Sequence, residues 1–208
     1  MPPEAAAEIV GVLLAGGRAR RMGGGDKCLR VLGGETLLAR AIARARPQVD
    51  RLILNAEGDL SRFNDYGLAV VADPIPGFAG PLAGVLAGLD WAAAKAPGAR
   101  HVATFATDAP FFPADLVARL AAAVAGGADL ACAASAGRNH PVFALWPVGL
   151  RDDLRQAMTA DGIRKVDVWT ARYRLAEVDF PTEPVDPFFN ANRPEDLATA
   201  ADMLARMT

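Results

Sequence analysis

Ile9-Val10-Gly11-Val12-Leu13-Leu14, followed at once by Ala15-Gly16-Gly17, is the stretch whose reading decides the fold. A continuous apolar run that stops at glycines reads as a strand buried on both faces. The pattern outward from it alternates short apolar runs with helical ones. Leu52 to Leu54, Leu68 to Val71, His101 to Ala106, Leu130 to Ala134, Pro141 to Trp146 and Tyr173 to Val178 read as further strands. Glu35 to Arg46, Pro81 to Ala94, Pro113 to Ala125, Val148 to Met158, Ile163 to Thr170 and Arg193 to Met207 read as helices, the last with Asn192 as its cap. The turn-like Ala136-Gly137-Arg138-Asn139 lets its two flanking strands pair as a hairpin. Strands alternating with helices imply crossovers. The expectation is therefore a single α/β domain over residues 1–208, Rossmann-like, with a mostly parallel sheet covered by helices on both faces. In such sheets ligands bind beyond the carboxyl ends of the strands, so the residues just after each apolar run are the ones to question.

Composition narrows the function. The chain has 208 residues, 52% of them hydrophobic and 22% charged, with a net charge of −2. That profile excludes general disorder, and it lacks the basic excess of a nucleic-acid binder. No apolar run approaches the roughly 18 residues a membrane helix needs. Residues Met1 to Glu8 lack the basic start of a signal peptide. Cys28 and Cys132 lie far apart, as reduced thiols of a cytoplasmic protein would. Lysine is scarce: only Lys27, Lys95 and Lys165 occur.

The segment after the first strand concentrates glycine and positive charge. It contains Gly16, Gly17, Gly23, Gly24 and Gly25, and between Gly16 and Arg30 five cations (Arg18, Arg20, Arg21, Lys27, Arg30) face one anion, Asp26. Neither the Walker A spacing nor the G-x-G-x-x-G fingerprint is present. A cationic, glycine-rich loop after a first strand, in an acidic chain, fits a polyphosphate.

Other positions remain open when read alone. Asp108 closes a strand beside this loop, which suits Mg²⁺ bridging triphosphate oxygens; it also suits a turn aspartate ahead of Pro113. Asn55 and Asp73 each end a strand, as rim ligands or as plain polar stops. Gly80-Pro81-Leu82-Ala83-Gly84 opens a helix, either as a seat for an anion and base plane or as a helix start only. Asn190 reads alone as a turn residue. His140, before Pro141, reads as structural or as a hydrogen-bonding group on the acceptor side. No Ser-His-Asp order or G-x-S-x-G elbow supports acyl transfer.

Taken in order, Leu14-Ala15-Gly16-Gly17, Arg21-Met22-Gly23, Asp26-Lys27, Gly80-Pro81-Leu82-Ala83-Gly84, Thr107-Asp108-Ala109-Pro110, His140-Pro141-Val142-Phe143 and Asn190-Ala191-Asn192-Arg193-Pro194-Glu195 span nearly the whole chain. This series resembles the molybdenum cofactor guanylyltransferases, whose fold is that of the nucleotide-diphospho-sugar transferases. The first motif fits several nucleotidyltransferases; the His-Pro and Asn-x-Asn segments narrow the match. The resemblance implies transfer of GMP from GTP to the terminal phosphate of molybdopterin or Mo-molybdopterin, with loss of pyrophosphate. It implies Lys27, Arg21 and Asp108 as catalytic residues, and Leu14, Ala15, Gly16, Gly17, Lys27, Asn55, Asp73, Gly80, Gly84 and Asp108 around the nucleotide. Asp108 and Asn190 are implied as Mg²⁺ ligands. It further implies transient contact with molybdoenzyme-maturation proteins, and no nucleic-acid or membrane partner. Cytidylyl transfer to the same cofactor, or a non-catalytic nucleotide or cofactor carrier, are the alternatives.

Overall fold

A computed structural model describes residues 8–16, 26–77 and 80–207. The strands are β1 (Glu8–Leu14), β2 (Val31–Leu32), β3 (Glu35–Thr36), β4 (Arg51–Asn55), β5 (Ala69–Val71), β6 (Ala99–Ala106), β7 (Leu130–Ser135), β8 (Arg138–Pro147) and β9 (Leu175–Asp179). The α-helices are α1 (Leu37–Ala45), α2 (Pro81–Lys95), α3 (Leu116–Ala125), α4 (Arg151–Thr159), α5 (Val166–Thr170) and α6 (Pro194–Met207). Seven strands form one sheet in the order β5-β4-β1-β6-β8-β7-β9. Only β8 runs against the rest, pairing antiparallel with both β6 and β7. The expected mostly parallel sheet is present, and the β7–β8 hairpin turns at Ala136-Gly137 as expected.

Alternation along each strand divides the core between the two faces. Leu13, Leu54, Phe105 and Phe143 point to one side, where they pack with α1 and α3. Val12, Ile53, Val102 and Trp146 point to the other, against α2, α4 and α5. Helix α2 is buried on nearly all sides from Leu82 to Leu89. It comes close because it is glycine-bearing: a Cβ on Gly88 would lie 2.5 Å from Val12 Cγ2. A smaller cluster around Leu32, Phe111, Val185 and Ala200 seats α6 against the β2–β3 hairpin.

Several boundaries differ from the sequence reading for identifiable reasons. Glu35 and Thr36 belong to a two-residue strand, because Gly33 and Gly34 both adopt positive φ and turn the chain back on Val31–Leu32. Helix α1 then starts at Leu37, and Thr36 Oγ1 accepts the Ala39 N–H at 3.1 Å. Helix α3 begins at Leu116, three residues beyond Pro113. Only Val166–Thr170 of the segment from Ile163 is helical. Leu60–Tyr66 forms a 3₁₀ helix that no periodicity announced. Asn192 makes no capping bond through its side chain; the Asp196 carboxylate takes the N–H groups of Asn192 and Arg193 at 2.7 and 2.8 Å.

Candidate active site

Register brings the site together. Leu14 pairs with Asn55 on one side and with Ala106 on the other, and Asn55 pairs with Val71. Four parallel strands therefore end side by side, and Asp73, Asn55, Ala15-Gly16 and Thr107-Asp108 emerge along one rim. Strand order reverses at β1, with β4 and β6 on opposite sides, which is the switch point where such sheets bind ligands. A cleft of about 1270 Å³ opens there. That is somewhat above the roughly 300–1,000 Å³ of an ordinary small-ligand pocket.

Lys27 lines this cleft. It is 8% exposed, whereas Lys95 and Lys165 are exposed. Its Nζ donates to Asp108 Oδ2 at 2.5 Å and to Asn192 Oδ1. The Asp108 carbonyl accepts the Ala191 N–H at 2.8 Å, which ties the Asn-x-Asn segment to the end of β6. Asn190 lines the cleft, and its Oδ1 is buried with no hydrogen-bond partner. A buried acceptor left unpaired costs about 1–3 kcal/mol, and among the described residues nothing pairs with this oxygen.

On the other arm, Asn55 Nδ2 donates to Asp73 Oδ1 at 2.9 Å and to the Val71 carbonyl. Burial raises the Asp73 carboxyl above its ordinary value; the Asn55 bond opposes this and the Glu57 charge adds to it. Gly84 is required by this arrangement, since a Cβ there would lie 2.5 Å from Asn55 Oδ1 and 2.6 Å from Leu14 Cδ2. Gly80 sits at the start of α2 with φ +149°. Gly16 lines the cleft, and a Cβ there would meet nothing within 4 Å among the described residues. Thr107 Oγ1 donates to the Leu14 carbonyl at 3.0 Å and locks the first strand's end to β6.

Residues 11–174 match the family described as MobA-like NTP transferase domain. The chain belongs to that family. It is 61% identical over 196 residues to the molybdenum cofactor guanylyltransferase of Rhodopseudomonas palustris strain HaA2, covering 94% of this chain and 92% of that one. It is 59% identical over 198 residues to the protein of the same name from Bradyrhizobium sp. strain ORS 278, covering 95% and 93%. The fold matches the molybdopterin-guanine dinucleotide biosynthesis protein A of Archaeoglobus fulgidus with a TM-score of 0.76 and 23% identity, over 95% of this chain and all of that one.

Within this MobA-like transferase most of the expected residues that are described gather in one place. Gly17 and Arg21 lie outside the described residues. Leu14, Ala15, Gly16, Lys27, Asn55, Asp73, Gly80, Asp108 and Asn190 line one cleft. Gly84 stands behind it, as the space that lets Asn55 and Leu14 close on α2. The sequence suggests Asn192 as a helix cap; its side chain is instead a partner of Lys27. The signal was available, because Asp196 is the alternative that frees the Asn192 side chain. His140 is held within the fold: its Nε2 lies 2.8 Å from Ser135 Oγ, its ring stacks on Phe188, and Ser135 in turn donates to Asp186. Among the described residues no three or more His, Cys, Asp or Glu side chains stand close enough to hold a metal ion. Asp108 and Asn190 offer hard oxygen donors, one of them the orphaned amide oxygen. That small set fits a Mg²⁺-like ion, which takes one or two protein ligands and completes its shell with water and phosphate.

Proposed function

We propose that this chain transfers GMP from GTP to the terminal phosphate of molybdopterin, with or without bound molybdenum, and releases pyrophosphate. The observation that carries the reading is the convergence of Lys27, Asp108 and Asn190, from three distant segments, in one cleft at the switch point of the sheet, with Asn192 bonded to Lys27.

An acceptor phosphate oxygen forms a bond to the α-phosphorus, and the bond from that phosphorus to the bridging oxygen of pyrophosphate breaks. The acceptor is already ionised, so no strong general base is needed and the protein acts by positioning and charge. The backbone of Gly16, with Gly17, approaches the triphosphate. Lys27 moves its ammonium from Asp108 and Asn192 to the reacting phosphates, and Arg21 adds charge to the same loop. Asp108 and Asn190 would hold a divalent cation, taken as Mg²⁺, which when bound neutralises charge on the triphosphate. Asn55 presents Asp73, whose carboxylate suits the N–H edge of guanine, beside the backbone of Leu14 to Gly16 and of Gly80. The cytoplasm is the compartment in which both buried cysteines, Cys28 and Cys132, stay reduced.

The test is a screen of the four nucleoside triphosphates against purified molybdopterin with Mg²⁺, reading pyrophosphate. GTP is expected to exceed CTP by about 100-fold, because two unsatisfied buried groups together cost about 2–6 kcal/mol, a range that contains the roughly 2.7 kcal/mol of that ratio. Comparable turnover with CTP would leave nucleotidyl transfer and remove the guanylyl assignment.

A further inference from the structure

Arg62 belongs to none of the motifs above, yet it lines the cleft. Nε and Nη2 grip the two carboxylate oxygens of Asp26, the second at 3.1 Å. Nη2 also donates to the Glu57 carbonyl at 2.7 Å, and Nη1 to the Asp59 carbonyl. A guanidinium has five N–H donors, so at least four are committed to the protein. Arg62 is therefore a poor phosphate clamp. What its bonds do is join two pieces of chain.

One piece is the segment after β4. There the Glu57 carboxylate accepts the Asp73 N–H at 2.9 Å while the Glu57 carbonyl holds Arg62. The other piece is Asp26, the residue before Lys27. Asp26 stands at the start of the 3₁₀ turn Lys27–Leu29, but its carboxylate makes no capping bond there and is spent on Arg62. The turn itself closes through the Leu29 N–H on the Asp26 carbonyl at 3.2 Å and the Arg30 N–H on the Lys27 carbonyl at 3.1 Å. Asp73, Glu57, Arg62, Asp26 and Lys27 thus form one connected series.

We infer that Arg62 is a positioning residue that, through Asp26, fixes the backbone of Lys27 relative to the Asp73 rim and so aims the Lys27 ammonium at the reacting phosphate. This rests on the nucleotidyl-transfer reading above. Lysine cannot replace it, because the grip needs a planar fork and not only charge.

The experiment compares wild type with Arg62→Gln, Arg62→Lys, Asp26→Asn and the double variant Arg62→Gln/Asp26→Asn. Turnover, GTP affinity and amide exchange at Leu29 and Arg30 are measured on each. Misplacing a reacting group by about 1 Å costs on the order of 100-fold, so each single variant should lose about 10- to 100-fold in turnover. GTP affinity should move by less than about 3-fold, and the double variant should be no worse than the poorer single one within about 3-fold, since both act through one contact. Exchange at Leu29 and Arg30 should quicken. Near-wild-type turnover in Arg62→Lys, a loss confined to GTP affinity, or multiplied losses in the double variant would each overturn the inference. Arg62→Met replaces Arg62→Gln if the latter does not fold. Failure of the guanylyl reading is distinguishable: wild type then yields no pyrophosphate from GTP and molybdopterin. Exchange still reports on the strut, and unchanged exchange in Arg62→Gln rejects it.

Discussion

Deleting Asp108 and deleting Lys27 should not cost the fold the same. Lys27 is 8% exposed, and its ammonium is held by a carboxylate at 2.5 Å and by the amide oxygen of Asn192. Asp108→Ala removes the charged partner and leaves a cation in a nearly closed site. Deleting one partner of a fully buried pair costs about 3–5 kcal/mol. The Asp108 side chain is 27% exposed, so water reaches the pair, and about 2–3 kcal/mol is the discounted expectation. Lys27→Met removes the cation but keeps a side chain of similar length. It leaves a carboxylate facing the open cleft, where it can hydrate, at a cost of about 0–1 kcal/mol. The double variant has no lone buried charge. It should be more stable than Asp108→Ala by about 1–2 kcal/mol. For a chain of this size each kcal/mol moves the melting temperature by about 2–4 °C. Asp108→Ala should then melt about 4–12 °C below wild type, with the double variant in between. The assay is thermal and urea unfolding followed by far-UV circular dichroism at neutral pH, without metal or nucleotide, on all four proteins. Both single variants should lose turnover, so stability and activity separate. Simple additivity of the two substitutions, or an Asp108→Ala protein as stable as wild type, would refute the reasoning.

Gly84→Ala gains about 1 kcal/mol of helix propensity but overpacks against Asn55 and Leu14, which costs about 1–3 kcal/mol; net destabilisation and weaker GTP binding are expected by calorimetry. Gly149→Ala, where a Cβ meets nothing within 4 Å, is the neutral control. Burial holds His140 below its ordinary value, with Asp186 opposing and Arg138 assisting. Its folded pKa thus lies under its unfolded one, so its contribution is present above about pH 6.5 and is lost as pH falls below that. His140→Gln should therefore lose less stability than wild type between pH 7.5 and 5.5, as read from urea midpoints. Burial pushes the Cys28 thiol up to about 12 and the Cys132 thiol up to about 11. Neither should react with Ellman's reagent at pH 8 in the native protein, and both should react in urea.

The sequence by itself determined the layered α/β fold, because Ile9 to Leu14 and Leu52 to Leu54 are apolar on both faces and end close to polar or glycine residues. Only a sheet covered on both sides accepts such runs. It also marked Lys27, Asp108, Asn55, Asp73 and Asn190, since each stands at a strand end or in a motif with no helical or core task. What it left open was pairing. Nothing local distinguishes a cap from a site residue at Asn192; the choice fell to Asp196, which took the backbone N–H groups, and to Lys27, which arrived from 165 residues away to take the amide oxygen. Gly84 could be a floor for the base or a gap for a neighbour, and only the 2.5 Å approach of Asn55 decided between them. Arg62 was invisible for the same reason. A lone arginine in an aperiodic stretch carries no pattern, and its meaning comes from Asp26, 36 residues away in the chain and reached only once β1 and β4 pair. Patterning is set by which faces must leave water, and that is written locally. A hydrogen-bond partner is set by which donor and acceptor the folded backbone happens to bring together, and that exists only in the tertiary structure.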